Sequence, residues 1–247
     1  MRYAAQLIFL LLFFICMETS FPQSRAENAF PWITQSKSSV TYAEPSYIKR
    51  SESTYHISAN YFRIDKSNKS LWNGKHWTSA DFPLKVFLSD TSSKMYKPLY
   101  KQYIDYAFEV WGRADDRIRF EYISSCSNAD ITITFEDNLM DKYNENYLGL
   151  TDYNLSRSNK IKQSTVEIGM LKMGKEKLSD GEIKATIIHE LGHAIGLGHS
   201  DNESDIMYPY ISPDSSPDLN FKDLSTGDIG AIKSVTNLGF YNEYTRK

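Results

Sequence analysis

Residues 189–199 read His-Glu-Leu-Gly-His-Ala-Ile-Gly-Leu-Gly-His, and no other stretch constrains the chain as tightly. Histidines four apart on a helix project from one face, one turn apart. His189 and His193 can therefore supply two legs of a tetrahedral zinc site, with bonds of about 2.0–2.1 Å. Glu190, beside the first of them, can reach a metal-activated water without binding the metal itself. Gly196 can take a positive φ, so the helix can stop there and the chain can bend back. That bend brings His199 round as a third ligand. Three histidines leave a fourth position open for water, the mark of a catalytic rather than a structural site. A bare His-Glu-x-x-His arises by chance in on the order of one chain in a hundred, and requiring the glycine and third histidine cuts this by roughly a thousand. Outside the motif the only histidines are His56 and His76.

The flanking sequence supports a helix at this point. Ser179-Asp180-Gly181-Glu182 is a capping box, in which Ser179 and Glu182 satisfy each other's orphan backbone donors. The helix should run through Ile183, Ile187, Ile188, Leu191, Ala194 and Ile195 and stop near Gly196. Upstream, Leu84, Val86 and Leu88 alternate as in a strand. Pro98 can open a helix whose Tyr100, Ile104, Ala107, Phe108 and Trp111 share one face. Residues 118–123 and 129–135 read as strands, 136–163 as a long polar surface loop, and Ser164 to Met170 as a further strand. A last helix is expected after Ser225, with Ile229, Ile232 and Val235 on its buried side.

With 247 residues the chain can form one sizeable domain. Leu7 to Cys16 is an unbroken apolar run, well short of the about 20 residues that span a bilayer, and it reads as the core of a secretory signal peptide. Residues 1–26 are taken as that signal, 27–70 as a polar linker or prosegment with one strand-like exception at Tyr61-Phe62-Arg63-Ile64, and 71–247 as a catalytic domain. Losing Cys16 with the signal leaves Cys126, in a polar turn, as an incidental thiol. A net charge of -3, without any long Lys/Arg run, gives no basic field for nucleic acid. The expected partners are protein or peptide substrates, with no stable membrane span after signal cleavage, and the chain reads as a monomer.

The extended motif followed by a methionine turn is that of the metzincin zinc peptidases, and Ser204-Asp205-Ile206-Met207-Tyr208-Pro209 resembles such a turn. Ser200 after the third histidine and the Met207-Tyr208-Pro209 triplet resemble the matrixins, the matrix-metalloproteinase-like peptidases of family M10. Astacins and serralysins differ, placing a metal-binding tyrosine where this chain has Pro209. The resemblance extends to Ala107–Trp111, Ala129–Phe135 and Leu224–Ile229 and covers about residues 71–240. It implies an α+β zincin fold: a twisted five-stranded, mostly parallel sheet with one antiparallel edge strand and three helices. Ser164–Met170 is the candidate for that edge strand, beside a shallow cleft. Met207 is implied as an apolar floor beneath the metal, and Ala185 as a small residue shaping the pocket for the residue after the scissile bond. The chain departs from the family in three places. No histidine lies between Arg113 and His189, where vertebrate matrixins hold a second, structural zinc, so one zinc is expected. Residues 27–70 contain no cysteine to block that zinc. Pro209-Tyr210-Ile211 lacks the tyrosine usual at the third position of the specificity wall.

Together these features predict a secreted, extracellular zinc endopeptidase (in the cell envelope if the N-terminal segment is retained). His189, His193 and His199 would hold one Zn2+, and Glu190 would be the general base for hydrolysis of internal peptide bonds. Calcium is left open. So are two other readings: a membrane-tethered protein with residues 27–70 as its stalk, and an inactive zinc-binding module that recognises proteins through the same cleft.

Overall fold

Apolar alternation makes strands where it is strongest. The computed structural model of the chain describes residues 29–31, 74–90, 92–144, 147–209 and 224–244. Its sheet comprises β1 (Ala29–Pro31), β2 (Leu84–Ser89), β3 (Phe120–Tyr122), β4 (Ile131–Glu136), β5 (Tyr147–Leu155) and β6 (Ile161–Gly169). Two short strands, β7 (Leu171–Lys172) and β8 (Glu176–Lys177), pair separately as a hairpin. The helices are α1 (Leu99–Ala114), the one-turn α2 (Leu139–Tyr143), α3 (Asp180–Ala194) and α4 (Thr226–Tyr244).

Five strands form a mixed sheet in the order β5-β6-β4-β2-β3, with β1 added outside β5. The pairs β2–β3, β2–β4 and β4–β6 are parallel, while β5 runs antiparallel to β6. This is the expected mostly parallel sheet, but its antiparallel member is β5 rather than Ser164–Met170. That segment belongs to β6, an interior strand in parallel register with β4, Val166 opposite Ile133. The residues read as a polar loop, 136–163, instead hold α2, β5 and the start of β6. Within β5, Leu148, Gly149, Leu150 and Thr151 are all buried in succession, so the strand lacks the clean two-residue period of a half-buried edge.

The core lies between this sheet and two helices. Leu84, Val86, Ile131, Ile133 and Phe135 are at most 1% exposed, and burying each such side chain stabilises the fold by about 1.5–3 kcal/mol. From α1, Tyr100, Ile104, Ala107, Val110 and Trp111 face the same core. The Trp111 indole N–H donates to the Ile188 carbonyl of α3 at 3.0 Å, so the largest buried side chain carries no unmet polar group. On the far side of α3, the Trp77 indole N–H donates to the Ala194 carbonyl at 2.8 Å and the Tyr153 hydroxyl to the His193 carbonyl at 2.7 Å. Both bonds satisfy carbonyls of the last helical turn, which have no partner within the helix.

Outside the core, β1 runs antiparallel to β5, with Ala29 opposite Leu150 and Phe30 opposite Gly149. It occupies the otherwise open edge of the sheet. Cys126 opens a single 3-10 turn, Cys126–Asn128, between β3 and β4. No helix among the described residues is long and apolar enough to cross a membrane. The apolar run from Leu7, the strand-like Tyr61–Ile64 and the Tyr210-Ile211 wall residues lie outside the described residues.

Candidate functional site

The site is built on α3, whose two ends are fixed by the residues the sequence singled out. At the N-terminus the Ser179 N–H donates to Glu182 Oε2 at 2.7 Å and the Glu182 N–H to Ser179 Oγ at 3.2 Å. At the C-terminus Gly196 adopts φ +111°. Its N–H donates to the His193 carbonyl at 2.7 Å and the Leu197 N–H to the Gly192 carbonyl at 3.0 Å, the paired bonds of a Schellman motif. A Cβ at Gly196 would lie 2.8 Å from the Lys75 carbonyl oxygen, so both backbone angle and space require glycine. The chain leaves the helix in a tight reversal and reaches His199 five residues after the helix ends.

His189, His193 and His199 converge, each offering a ring nitrogen within 4.8 Å of the others. His189 Nδ1 lies 2.6 Å from the Ile206 carbonyl and His193 Nδ1 2.8 Å from the Leu197 carbonyl. A carbonyl only accepts, so each Nδ1 carries the proton and each Nε2 keeps its lone pair. The Nε2 atoms of His193 and His199 stand 3.2 Å apart. Two nitrogens bound to one tetrahedral zinc at about 2.0–2.1 Å would be separated by about 3.3–3.4 Å. The donor set and its spacing therefore fit Zn2+ with one position left over.

The electrostatics point the same way. Burial, then the neighbouring imidazoles, hold His189 and His193 well below the ordinary histidine range. Burial and the Lys75 ammonium push His199 down to about 4. All three are neutral at physiological pH, the form in which imidazole binds metal. Glu190 is fully buried, and burial raises its carboxyl well above the usual range, opposed by a hydrogen bond from Thr151. A dication on the three histidines would draw that carboxyl back towards its ionised form.

A turn held by two buried aspartates closes the site from below. Ser200 Oγ donates to Asp205 Oδ2 at 2.5 Å, and Ser225 Oγ to Asp205 Oδ1 at 2.7 Å. Asp228 accepts from the Ile206 N–H at 3.0 Å and the Met207 N–H at 3.4 Å. These bonds place Met207, which is 0% exposed, against Gly192: a Cβ there would lie 2.4 Å from Met207 Sδ. The apolar floor expected of Met207 thus packs on the helix turn between the two histidines. Ala185 is buried on the same helix.

The sequence reading missed Gly149 and Thr151 on β5, Tyr153 and Trp77 at the end of α3, and the two aspartates. The first three sit in the segment taken for a loop. The Leu148-Gly149-Leu150 run was their one available signal.

Residues 76–236 match the family profile described as Matrixin. A matrix metalloproteinase-like protein of Trichoplusia ni ascovirus 2c is 32% identical over 176 residues, 61% of this chain and 33% of that protein. Matrix metalloproteinase-C of Caenorhabditis elegans is 38% identical over 60 residues, 24% of this chain and 10% of that one. Rat (Rattus norvegicus) matrilysin is 45% identical over 47 residues, 19% of this chain and 16% of that one. The chain thus spans a third or less of the length of these relatives.

Proposed function

The chain belongs to the matrixin family, and from that premise we propose that it is a secreted zinc-dependent endopeptidase in which His189, His193 and His199 hold the metal and Glu190 is the general base. The observation that carries this reading is the convergence of three neutral imidazoles beside a buried carboxylate. Zn2+ at these nitrogens would supply Lewis acidity, polarising the scissile carbonyl and acidifying the attacking water. Glu190 accepts a proton from that water as its oxygen bonds to the carbonyl carbon. It then delivers the proton to the amide nitrogen as the carbon–nitrogen bond breaks, releasing an amine and a carboxylic acid. The backbone carbonyls of Ile206 and Leu197 keep the His189 and His193 rings oriented throughout. Ala185, being small, leaves room for the side chain that follows the scissile bond.

Residues 27–70 are proposed as a prosegment. Glu190 Oε1 is buried beside the Gly149 backbone. Strand β1, within that segment, lies on the free edge of β5 with Phe30 opposite Gly149, and Gly149 backs directly onto Glu190. Cleavage of the apolar N-terminus would release the protein from the cell that makes it.

Metal analysis of the purified protein tests the ligand set. One zinc per chain is expected, reduced to a small fraction in His193→Ala. Two tightly held zincs, or full retention in the variant, would refute it.

A further inference from the structure

The Glu190 side chain touches β5 at two places. Thr151, 0% exposed, directs Oγ1 at Glu190 Oε2 at 2.6 Å, with the Glu190 carbonyl oxygen at 3.1 Å. A hydroxyl has one proton, and the shorter, charge-assisted contact takes it. Two residues earlier on the same strand face, Gly149 leaves the space the carboxylate fills. A Cβ there would lie 2.5 Å from Glu190 Cγ, 2.6 Å from Oε1 and 2.8 Å from Cδ. The other carboxylate oxygen, Oε1, is buried with no hydrogen-bond partner.

We propose that Thr151 is the positioning residue of the general base: its hydroxyl anchors Oε2, so that Oε1 is the oxygen that exchanges the proton. The inference rests on the endopeptidase reading above and adds an asymmetry to it. With Oε2 already accepting the Thr151 proton, the lone pairs of Oε1 are the ones available to the attacking water. The proton moves from water to Oε1 and from Oε1 to the departing amine nitrogen. The Thr151 proton stays on its own oxygen. Gly149 gives the carboxylate its slot and Thr151 stops it rotating within that slot. A rotating carboxylate would offer the wrong lone pair, or the wrong distance, for much of the time. A merely structural threonine would satisfy its hydroxyl here and influence stability alone.

The test replaces the hydroxyl while keeping the shape. In Thr151→Val, kcat on a peptide substrate should fall about tenfold to a hundredfold, the range for losing one hydrogen bond to a charged group. KM should stay within about twofold if only positioning is lost. Zinc content should remain one per chain. Thr151→Ser keeps the donor and should recover kcat to within about threefold, and Gly149→Ala should lose kcat as Thr151→Val does. A crystal structure of Thr151→Val supplies a readout independent of turnover: Glu190 should leave its present position. Wild-type-like kcat in Thr151→Val, equal losses in the valine and serine variants, loss of zinc, or an unmoved carboxylate would each overturn the proposal. A wild type that binds zinc and cleaves nothing would refute the endopeptidase reading instead, and the carboxylate position would still decide this one.

Discussion

Gly192 lies on α3 between the two histidines of the helix, and replacing it with alanine sets two effects against each other. In an exposed helix the change would stabilise by about 1 kcal/mol, because glycine is a poor helix former. Here the new Cβ would lie 2.4 Å from Met207 Sδ and 2.8 Å from Trp111 Cζ2, against an ordinary contact of about 3.5–4.0 Å. Trp111 is fully buried and tied to Ile188, so Met207 must move. Overpacking of this kind costs up to about 3 kcal/mol, leaving Gly192→Ala destabilised by about 2 kcal/mol. Met207→Ala alone opens a cavity and should cost about 3 kcal/mol. Combined, the two changes compensate, because the added Cβ occupies part of the vacated volume. The double variant should be destabilised by about 3 kcal/mol instead of the additive value of about 5, a coupling near 2 kcal/mol. Urea unfolding of the metal-free proteins, followed by circular dichroism, measures all four corners of the cycle. Additivity within about 0.5 kcal/mol would refute the argument that the methionine floor and the helix turn are packed against each other.

Two further predictions concern protons and the N-terminal segment. In metal-stripped protein the histidines resist protonation when folded, His199 titrating at about 4 against an ordinary 6.5. Below 6.5 the unfolded chain therefore takes up protons that the folded chain refuses, so this stability is complete above about pH 7 and drains away as pH falls towards 4. The raised Glu190 carboxyl acts with the opposite sign, so the measurement belongs on Glu190→Gln. Its urea midpoint should fall between pH 7.5 and pH 5, and an unchanged midpoint would contradict the buried neutral cluster. Residues 71–247 should cleave an unfolded protein faster than residues 27–247 if the segment bearing β1 covers the site. Equal rates would make that segment a linker.

The local signals of this chain were easier to read than its topology. The three histidines, the capping box at Ser179 and Glu182, and Gly196 are local signals, each requiring particular residue types at fixed offsets. The structure realises each locally, with the φ of Gly196 at +111°. Strand order and direction depend on pairings between residues far apart in sequence, and no local period encodes them. Val166 reads identically whether its strand is an edge or lies, as it does, between β4 and β5. β5 itself was hidden by Gly149, Asp152 and Asn154, residue types depleted in strands. It forms because Leu148 and Tyr153 join the buried core and the Tyr153 hydroxyl bonds the His193 carbonyl of α3. Gly149 and Thr151 look like poor strand residues until Glu190 is placed opposite them. The family's fold was legible through resemblance, and the surroundings of Glu190 only through the coordinates.

The most direct test of the central claim is cleavage of a denatured protein by residues 27–247, beside Glu190→Ala carrying the same zinc. The account predicts cleavage at internal bonds by the wild type, abolished by chelation and restored by zinc. The zinc-loaded variant should lose turnover by at least about a hundredfold, the scale of a lost general base. Undiminished cleavage by Glu190→Ala, or none by a zinc-loaded wild type freed of residues 27–70, would contradict it.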